Sequence, residues 1–317
     1  MDTSQLSPTS SLVRVMDDGE AKLAWWHDDV LSDLSPKTLD ALLGLSRSEI
    51  HDWLSPERAG ELPELDLNAV VMLAPAENQE VWAAGVTYRR SREARIEEAT
   101  ARDVYAKVYR AERPELFFKS AGWRVVPHNG AVGIRSDSAW NVPEPELALL
   151  ANRHAEVIAY GCANDMSSRS IEGENPLYLP QAKIYDRSCA IGPAAVLAKD
   201  VDVKACDIRL VIERDGTEIY AETASIRGLV RDPDALVRVL FSAYTLPVGA
   251  WLLTGTPIVP SSTYSAREGD VITVSIDSLG RLVNVVQGVQ HSGASAPPLE
   301  RQKSALEHGR RKDVRRQ

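Results

Sequence analysis

The most informative stretch of this chain is Asn141-Val142-Pro143-Glu144-Pro145-Glu146-Leu147. Residues two apart on an extended strand point to the same face, about 7 Å apart at a rise of ~3.3 Å per residue. Two carboxylates on one face repel each other and are costly to bury unless a positive charge lies between them. Oxygen-only ligands suit Mg²⁺, Mn²⁺ or Ca²⁺ better than zinc. We therefore predict that Glu144 and Glu146 bind a hard divalent cation, although a solvent-exposed acidic edge would show the same spacing.

Three later positions support a metal site. Asp165 follows an apolar run at 156–163, so it lies near a strand end from which a third carboxylate can reach the same ion. Three carboxylates leave coordination positions open for water and a chelating substrate. Lys183 would offset the negative charge and bind a substrate oxygen, although a lone lysine in a loop is normally solvated. The segment Thr254-Gly255-Thr256-Pro257 predicts a tight turn that holds a carboxylate, with a bare turn as the alternative.

A candidate proton-transfer group stands in the segment Arg113-Pro114-Glu115-Leu116-Phe117-Phe118-Lys119. We expect the aromatic pair at 117–118 to be buried. A carboxylic acid that enters a buried apolar run has a raised pKa, and a raised pKa suits proton transfer near neutral pH. Glu115 is therefore the predicted acid or base.

Composition limits the class of protein. The 317 residues are 44% hydrophobic, which is enough for one large domain or two smaller ones. The net charge of −9 argues against general nucleic-acid binding. The sequence contains no apolar run of membrane-spanning length and does not begin with a secretory signal, so we expect a cytoplasmic protein without a membrane partner. The three cysteines are widely spaced and are expected to be reduced thiols.

The chain is predicted to have three parts: a small N-terminal domain at 1–75, a catalytic domain at 76–292 and a flexible basic tail at 293–317. In the first part, Ser35 and Pro36 are expected to cap and begin a helix, and a second helix is expected at 46–54. The charged stretch 88–113 predicts a helix that forms a lid, a subunit contact or a solvated surface.

The central part of the chain is predicted to be a β-rich α+β domain. Asp215-Gly216 marks a hairpin between two strand-like runs, and Val271–Ile276 shows strand alternation. One clear helix begins at Asp232-Pro233. Short antiparallel strands with few helices argue against a doubly wound parallel sheet.

Seven motifs occur in an order that resembles the fumarylacetoacetate hydrolase superfamily. They are Gly-x-x-Tyr from Gly85, Phe-Phe-Lys from Phe117, Glu-x-Glu from Glu144, Asn-Asp-x-Ser-x-Arg from Asn164, Gln-x-Lys from Gln181, Ile-Gly-Pro from Ile191 and Thr-Gly-Thr-Pro from Thr254. The resemblance covers about residues 81 to 286. It implies a mixed β-roll or sandwich catalytic domain and a homodimer or homotetramer.

The resemblance also implies roles for individual residues. Mg²⁺ or Mn²⁺ would be held by Glu144, Glu146 and Asp165, with Lys183 beside the metal and Thr256 near the substrate carboxylate. The residues expected to bind substrate are Tyr88, Lys119, Arg169, Gln181 and Thr256.

One departure from the hydrolytic members concerns the lid. Those enzymes carry a His and a Glu just after an Asn-Tyr, and the His activates water. Here the stretch is Thr87-Tyr88-Arg89-Arg90-Ser91-Arg92-Glu93-Ala94, with Ser91 where the His is expected and Glu93 displaced in register. A serine does not replace a histidine as general base near neutral pH without another base beside it. The lid and the segment around Glu115 are instead similar to the branch that dehydrates 2-keto-3-deoxy sugar acids.

The sequence therefore predicts a metal-dependent lyase of carbohydrate catabolism that converts a 2-keto-3-deoxypentonate to 2,5-dioxopentanoate. A 2-oxo acid that chelates the cation has an acidified C3 hydrogen. Glu115 or Lys183 would take this proton, and Thr256 completes the predicted catalytic set. One alternative is a hydrolase or decarboxylase of acylpyruvates or related diketo acids. Another is a binding or scaffold protein on a retired enzyme fold.

Overall fold

A computed structural model describes Leu6, residues 10–89, Val108 and residues 111–289. Its strands are β1 Ser11–Asp17, β2 Glu20–His27, β3 Val30–Asp33, β4 Val71–Leu73, β5 Glu80–Gly85, β6 Glu115–Ala121, β7 Ala131–Ile134, β8 Asn141–Val142, β9 Pro145–Ala151, β10 Val157–Asp165, β11 Ser167–Ser168, β12 Cys189–Leu197, β13 Asp207–Arg214, β14 Thr217–Ser225, β15 Ala250–Leu253, β16 Val271–Ile276 and β17 Gly280–Gly288. Its α-helices are α1 Leu39–Leu43, α2 Arg47–Trp53, α3 Pro56–Ala59, α4 Arg169–Glu174, α5 Leu179–Lys183 and α6 Pro233–Phe241.

The strands form a ten-stranded sheet, a five-stranded sheet and a two-stranded pair. The large sheet has the order β3-β2-β1-β12-β10-β9-β15-β5-β6, with β4 also paired to β1. Its strands are antiparallel to their neighbours except at the β15–β5 pair. The smaller sheet has the order β14-β13-β16-β17-β7, and β11 pairs with β8. The predicted β-rich α+β fold is confirmed.

The main hydrophobic core lies where the two large sheets pack together. Leu149 and Leu252 of the ten-stranded sheet share one buried cluster with Ile208 and Val274 of the five-stranded sheet. Every residue of β9 is buried, as are most of β10. Polar side chains on these central strands are therefore removed from bulk water, and they need partners inside the protein.

The N-terminal strands belong to the same sheet as the strands of the site. β1 pairs with β12 at Ser11–Val196 and Leu12–Ala195. The predicted boundary near residue 75 falls between β4 and β5, and the sheet continues across it. The boundaries at 75 and 292 stay predictions.

The start of the first helix differs from the prediction. Thr38, rather than Ser35, is the N-cap of α1, and its Oγ1 accepts a hydrogen bond of 3.1 Å from the Ala41 N–H. Ser35 and Pro36 are joined by a cis peptide bond in the turn before the helix. The physical reason is that a capping oxygen must reach an N–H of the first helical turn, and α1 begins only at Leu39, directly after Thr38.

Other local predictions agree with the structure. Ser46 caps α2 in a capping box with Glu49. Asp232 caps α6, and Pro233 occupies its first turn. The hairpin at Asp215-Gly216 joins β13 to β14, and both turn residues have positive φ, as in a type I′ turn.

Two predicted segments lie largely outside the described residues. These are most of the charged stretch 88–113, including Ser91 and Glu93, and the basic tail at 293–317. Among the described residues, no helix has the length and apolar character needed to cross a membrane.

Candidate metal centre and active-site pocket

Three buried carboxylates meet where β9 and β10 run side by side. Glu144 immediately precedes β9, Glu146 lies on it, and Asp165 is the last residue of β10. The antiparallel register sets Ala163 opposite Glu146, and the Asp165 N–H donates to the Glu144 carbonyl oxygen over 2.9 Å. One ligand oxygen from each carboxylate lies within 4.8 Å of the other two. The structure thus brings together the three residues predicted to hold a cation.

The electrostatics of this cluster favour a bound cation. Burial, followed by repulsion from Asp165 and Glu144, raises the pKa of Glu146 well above its ordinary value. Lys183 and the Gly255 N–H act in the opposite direction. Three buried carboxylates with mutual repulsion and an all-oxygen donor set suit a hard divalent ion such as Mg²⁺. The residues therefore fit the metal that the sequence implies.

Lys183, the last residue of α5, lies inside the cluster. Its Nζ is 3.0 Å from Glu144 Oε2, 2.8 Å from Asp165 Oδ2 and 2.6 Å from Ser167 Oγ. An ammonium group has three hydrogens to donate, and these three acceptors account for them. Lys183 therefore offsets part of the negative charge and fixes the positions of two carboxylates.

Lys119 lies on the other side of Asp165. Its buried Nζ is 2.5 Å from Asp165 Oδ1, and it donates to the carbonyl oxygens of Met166 at 3.0 Å and Lys183 at 2.6 Å. Lys119 is not among the described residues that line the pocket. Its hydrogens are directed to protein acceptors, and its ion pair helps to hold Asp165 in place. That Lys119 binds substrate stays a prediction.

Arg169, at the start of α4, plays a similar part for Glu144. Its Nη2 is 3.0 Å from Glu144 Oε1, and its Nη1 is 3.4 Å from Glu172 Oε2. All three side chains are buried. Arg169, like Lys119, was predicted to bind substrate, yet it is absent from the described pocket lining.

A pocket that opens to solvent lies over the cluster. Besides the cluster and Lys183, its described lining consists of Ala84, Gly85, Val86, Glu115, Phe117, Glu172, Leu179, Gly255 and Thr256. Two carboxylates, Glu115 and Glu172, therefore face the pocket without belonging to the metal cluster. Sequence reasoning missed Glu172, although its position one helical turn after Arg169 could have indicated a buried pair.

Glu115 is packed closely against the end of β5. A Cβ added to Gly85 would lie 2.0 Å from Glu115 Oε2, so the glycine leaves the space that this carboxylate occupies. Glu115 is half-buried. The predicted proton-transfer group thus lies in the pocket, on a strand at the edge of the large sheet.

The surroundings of Glu115 are less apolar than predicted. Phe117 and Phe118 are only partly buried, whereas Pro114 and Lys119 are buried. Consecutive residues of a strand point to opposite faces, so the two aromatic rings cannot share one buried site. Phe117 lines the pocket, whereas Phe118 packs edge-on against Trp82 with ring centroids 6.0 Å apart.

The remaining predicted substrate contacts occupy different environments. Thr256 is buried in the pocket wall, where its hydroxyl donates to the Ile258 carbonyl oxygen over 2.9 Å. Tyr88 is buried and hydrogen bonds to Thr254, and burial together with the Glu146 charge raises the pKa of its hydroxyl. Gln181 is exposed on α5 and does not belong to the described lining, so the structure does not bring it to the pocket.

Comparison with known families gives one match that covers most of the chain. The family model described as fumarylacetoacetate (FAA) hydrolase, C-terminal, matches residues 80–287. This range includes the three carboxylates, Lys183, Glu115 and Thr256.

Two curated relatives are similar over long stretches. A probable 2-keto-3-deoxyxylonate dehydratase of Haloferax volcanii is 47% identical over 282 residues, which are 86% of this chain and 97% of the relative. A 2-dehydro-3-deoxy-D-arabinonate dehydratase of Saccharolobus solfataricus is 36% identical over 231 residues, which are 71% of this chain and 78% of the relative.

A solved structure has a similar fold over most of this chain. It is a 2-keto-3-deoxy-D-arabinonate dehydratase complexed with magnesium and 2,5-dioxopentanoate, with a TM-score of 0.77 and 28% identity. The similarity covers 88% of this chain and 99% of that chain.

Proposed function

This chain belongs to the fumarylacetoacetate hydrolase family, and from that membership we propose that it is a metal-dependent dehydratase of 2-keto-3-deoxypentonates. The product would be 2,5-dioxopentanoate, the compound bound in the similar magnesium-containing structure. The observation that carries the proposal is the presence of Glu115, a carboxylate outside the acidic cluster, in the same pocket as that cluster. Elimination of water from a 2-oxo acid needs such a proton acceptor close to the chelation site.

We propose Mg²⁺ as the ion, held by Glu144, Glu146 and Asp165, with Mn²⁺ or Ca²⁺ as substitutes. The all-oxygen donor set and the magnesium in the similar structure support this assignment. When bound, the ion would act as a Lewis acid toward the carboxylate and keto oxygens of a 2-oxo acid. Negative charge develops on these oxygens as C3 loses a proton.

The chain's own groups would then divide the proton chemistry. Glu115 takes the C3 proton, and the C4 hydroxyl leaves as water after it accepts a proton from Glu115 or from a bound water. Lys183 keeps the acidic cluster compact, and Thr256 positions the substrate carboxylate. Glu115 and Glu172 provide acceptors for sugar hydroxyl groups. The unsaturated product tautomerises to the dioxo acid.

The other predicted substrate contacts have narrower roles in this proposal. Lys119 and Arg169 act on Asp165 and Glu144 by ion pairing, as their distances indicate. Tyr88 supports the turn at Thr254. Gln181 would contact substrate only through a rearrangement of α5, so we assign it no role.

Hydrolysis or decarboxylation of diketo acids is not favoured. Both relatives are named as dehydratases, one of them as a probable dehydratase. A scaffold role is also disfavoured, because a protein without metal chemistry gains nothing from three converging buried acids.

We further propose a cytoplasmic homodimer or homotetramer with the three-part organisation described above. Resemblance to the family supports the oligomer, and three buried free cysteines fit a reducing compartment. Light scattering of the purified chain would test the oligomeric state.

The proposed activity is tested by mixing Mg²⁺-loaded protein with 2-keto-3-deoxy-D-arabinonate and 2-keto-3-deoxy-D-xylonate. We expect 2,5-dioxopentanoate to appear in the NMR spectrum at an enzymatic rate, about 1 s⁻¹ or faster. Protein treated with a chelator is the matched control. Cleavage of acetylpyruvate without conversion of any 3-deoxy sugar acid would replace this proposal with the hydrolase alternative.

A further inference from the structure

The peptide group between Thr254 and Gly255 is hydrogen bonded at both ends. Its N–H donates to Glu146 Oε2 over 2.6 Å, and its carbonyl oxygen accepts from Thr87 Oγ1 over 2.5 Å. A donor on a peptide carbonyl polarises the N–H of the same group and strengthens its hydrogen bond. The Thr87 hydroxyl is therefore connected to a candidate metal ligand through one peptide plane.

The turn at Gly255 fits directly against Thr87. Gly255 has φ of +85°, a conformation that glycine adopts without steric cost. A Cβ at this position would lie 2.2 Å from Thr87 Oγ1 and 2.9 Å from the Ala84 carbonyl oxygen. Glycine is thus needed both for the backbone conformation and for the close approach of the threonine.

Both partners of the contact are held in place. Thr87 is completely buried, and its carbonyl oxygen accepts from the Val230 N–H over 3.1 Å. Thr254 donates twice to the Leu147 carbonyl oxygen, from its N–H and from its hydroxyl, each over 3.0 Å. The preceding residue Val86 has φ of +53°, which a β-branched residue rarely adopts. Such backbone strain is found where surrounding contacts fix a functional geometry.

Glu146 has the greatest need for such support. It is buried and repelled by both neighbouring carboxylates. A backbone N–H that donates to a carboxylate forms a strong, charge-assisted hydrogen bond, and this bond fixes the rotation of the carboxylate.

We propose that Thr87 is a positioning residue of the metal centre, which orients Glu146 through the Thr254–Gly255 peptide. Thr87 touches neither the ion nor the substrate in this role. The contact joins two motifs that lie 167 residues apart, Gly-x-x-Tyr and Thr-Gly-Thr-Pro. It gives a physical reason for both to occur in a metal-binding chain.

The decisive variant is Thr87→Val, which has nearly the same shape but no hydroxyl. It leaves the buried Thr254 carbonyl oxygen without its donor and weakens the bond to Glu146. We expect the Mg²⁺ affinity, measured by calorimetry without substrate, to fall about tenfold or more, as for other residues that support metal ligands. Thr87→Ser keeps the hydroxyl and should retain wild-type affinity within about threefold, since one methyl group is lost.

The matched control is Thr273→Val, in a buried position on β16 of the other sheet. This substitution also replaces a buried threonine hydroxyl by a methyl group, and the variant should bind Mg²⁺ with wild-type affinity. Wild-type affinity in Thr87→Val would overturn the proposal. A loss of Mg²⁺ affinity in Thr273→Val or in Thr87→Ser as large as that in Thr87→Val would also overturn the proposal.

Circular dichroism would establish that each variant is folded. Should Thr87→Val not fold, Thr87→Cys offers a side chain of similar size and a weaker donor. The Mg²⁺ affinity of Thr87→Cys should be lower than that of Thr87→Ser. A wild-type Mg²⁺ affinity in Thr87→Cys would again count against the proposal. The measurement requires no turnover, so it is independent of whether the chain dehydrates sugar acids.

Discussion

The two sets of carboxylates in the pocket are held in different ways. Glu144 and Asp165 lie at the centre of the large sheet, and buried cations contact both oxygens of each. Glu115 lies on the edge strand β6, half-buried and packed against a glycine. The central set is held in a fixed geometry by ion pairs, whereas Glu115, the proposed proton acceptor, is half-buried at the edge of the sheet and faces the pocket. Variants at the two positions should therefore fail in different ways.

The largest expected effect is on metal binding by Glu146→Gln. This change removes a ligand charge and should lower the Mg²⁺ affinity at least about 100-fold, more than the loss of a supporting residue. It also relieves repulsion between buried acids, so the metal-free protein should be as stable as the wild type or more stable. Calorimetry and urea unfolding measure the two quantities.

Asp165→Asn gives the contrast within the same cluster. Asp165 is paired with two buried lysines, and its neutralisation should destabilise the metal-free protein by about 3–5 kcal/mol. Urea unfolding in the presence of a chelator measures this loss. Equal unfolding free energies for the Asp165→Asn and Glu146→Gln variants would refute the difference between these two acids.

The next largest expected effect is a loss of turnover in the Glu115→Gln variant. We expect kcat to fall about 10²- to 10⁴-fold because the proton acceptor is lost. The Mg²⁺ affinity should stay within about twofold of wild type, since Glu115 is outside the acidic cluster. Glu112→Gln, at an exposed position three residues earlier, is the control. A loss of metal binding equal to the loss of kcat would show that the two carboxylate sets are not separate.

A smaller effect is expected from Gly85→Ala. The added methyl group would lie 2.0 Å from Glu115 Oε2 and must displace that carboxylate. We expect kcat to fall about tenfold, equivalent to ~1.4 kcal/mol in the barrier, with unchanged Mg²⁺ affinity. An unaltered kcat would mean that the position of Glu115 is not critical for proton transfer.

The smallest effect concerns the pH dependence of stability without metal. The pKa of Glu146 is raised from its ordinary value of 4.5 in the folded protein, so its contribution to stability is present below pH 4.5 and is lost as pH rises through the raised pKa. We expect the difference in melting temperature between Glu146→Gln and the wild type to grow by a few degrees as pH rises, in the presence of a chelator. A difference that does not change with pH would contradict the raised pKa.

Local sequence patterns were sufficient to predict much of the fold and the centre of the site. The two-residue strand period placed Glu144 and Glu146 on one face, and the end of an apolar run placed Asp165 near them. The hairpin at Asp215-Gly216 followed from turn chemistry. These features depend on neighbours in the sequence, so they are accessible without coordinates.

Features that depend on distant contacts could not be derived from local patterns. Lys119 and Arg169 were expected to face substrate, because a sequence does not tell on which side of a carboxylate a cation lies. Glu172 enters the pocket through the packing of α4, and the helical spacing from Arg169 indicates only that the two side chains share a helix face. Gln181 is exposed although it is only two positions before the buried Lys183, because residues two apart on a helix lie on different faces.

The pairing of β1 with β12 has a practical consequence for handling this protein. β12 also pairs with β10, the strand that ends in Asp165. Deletion of β1 would leave backbone groups near Ala195 and Val196 of the buried, apolar strand β12 without their partners. Exposed edges of this kind recruit strands from other molecules. Shortened versions prepared for crystallography should therefore keep Ser11–Asp17, and an affinity tag is better attached ahead of this strand by a flexible linker.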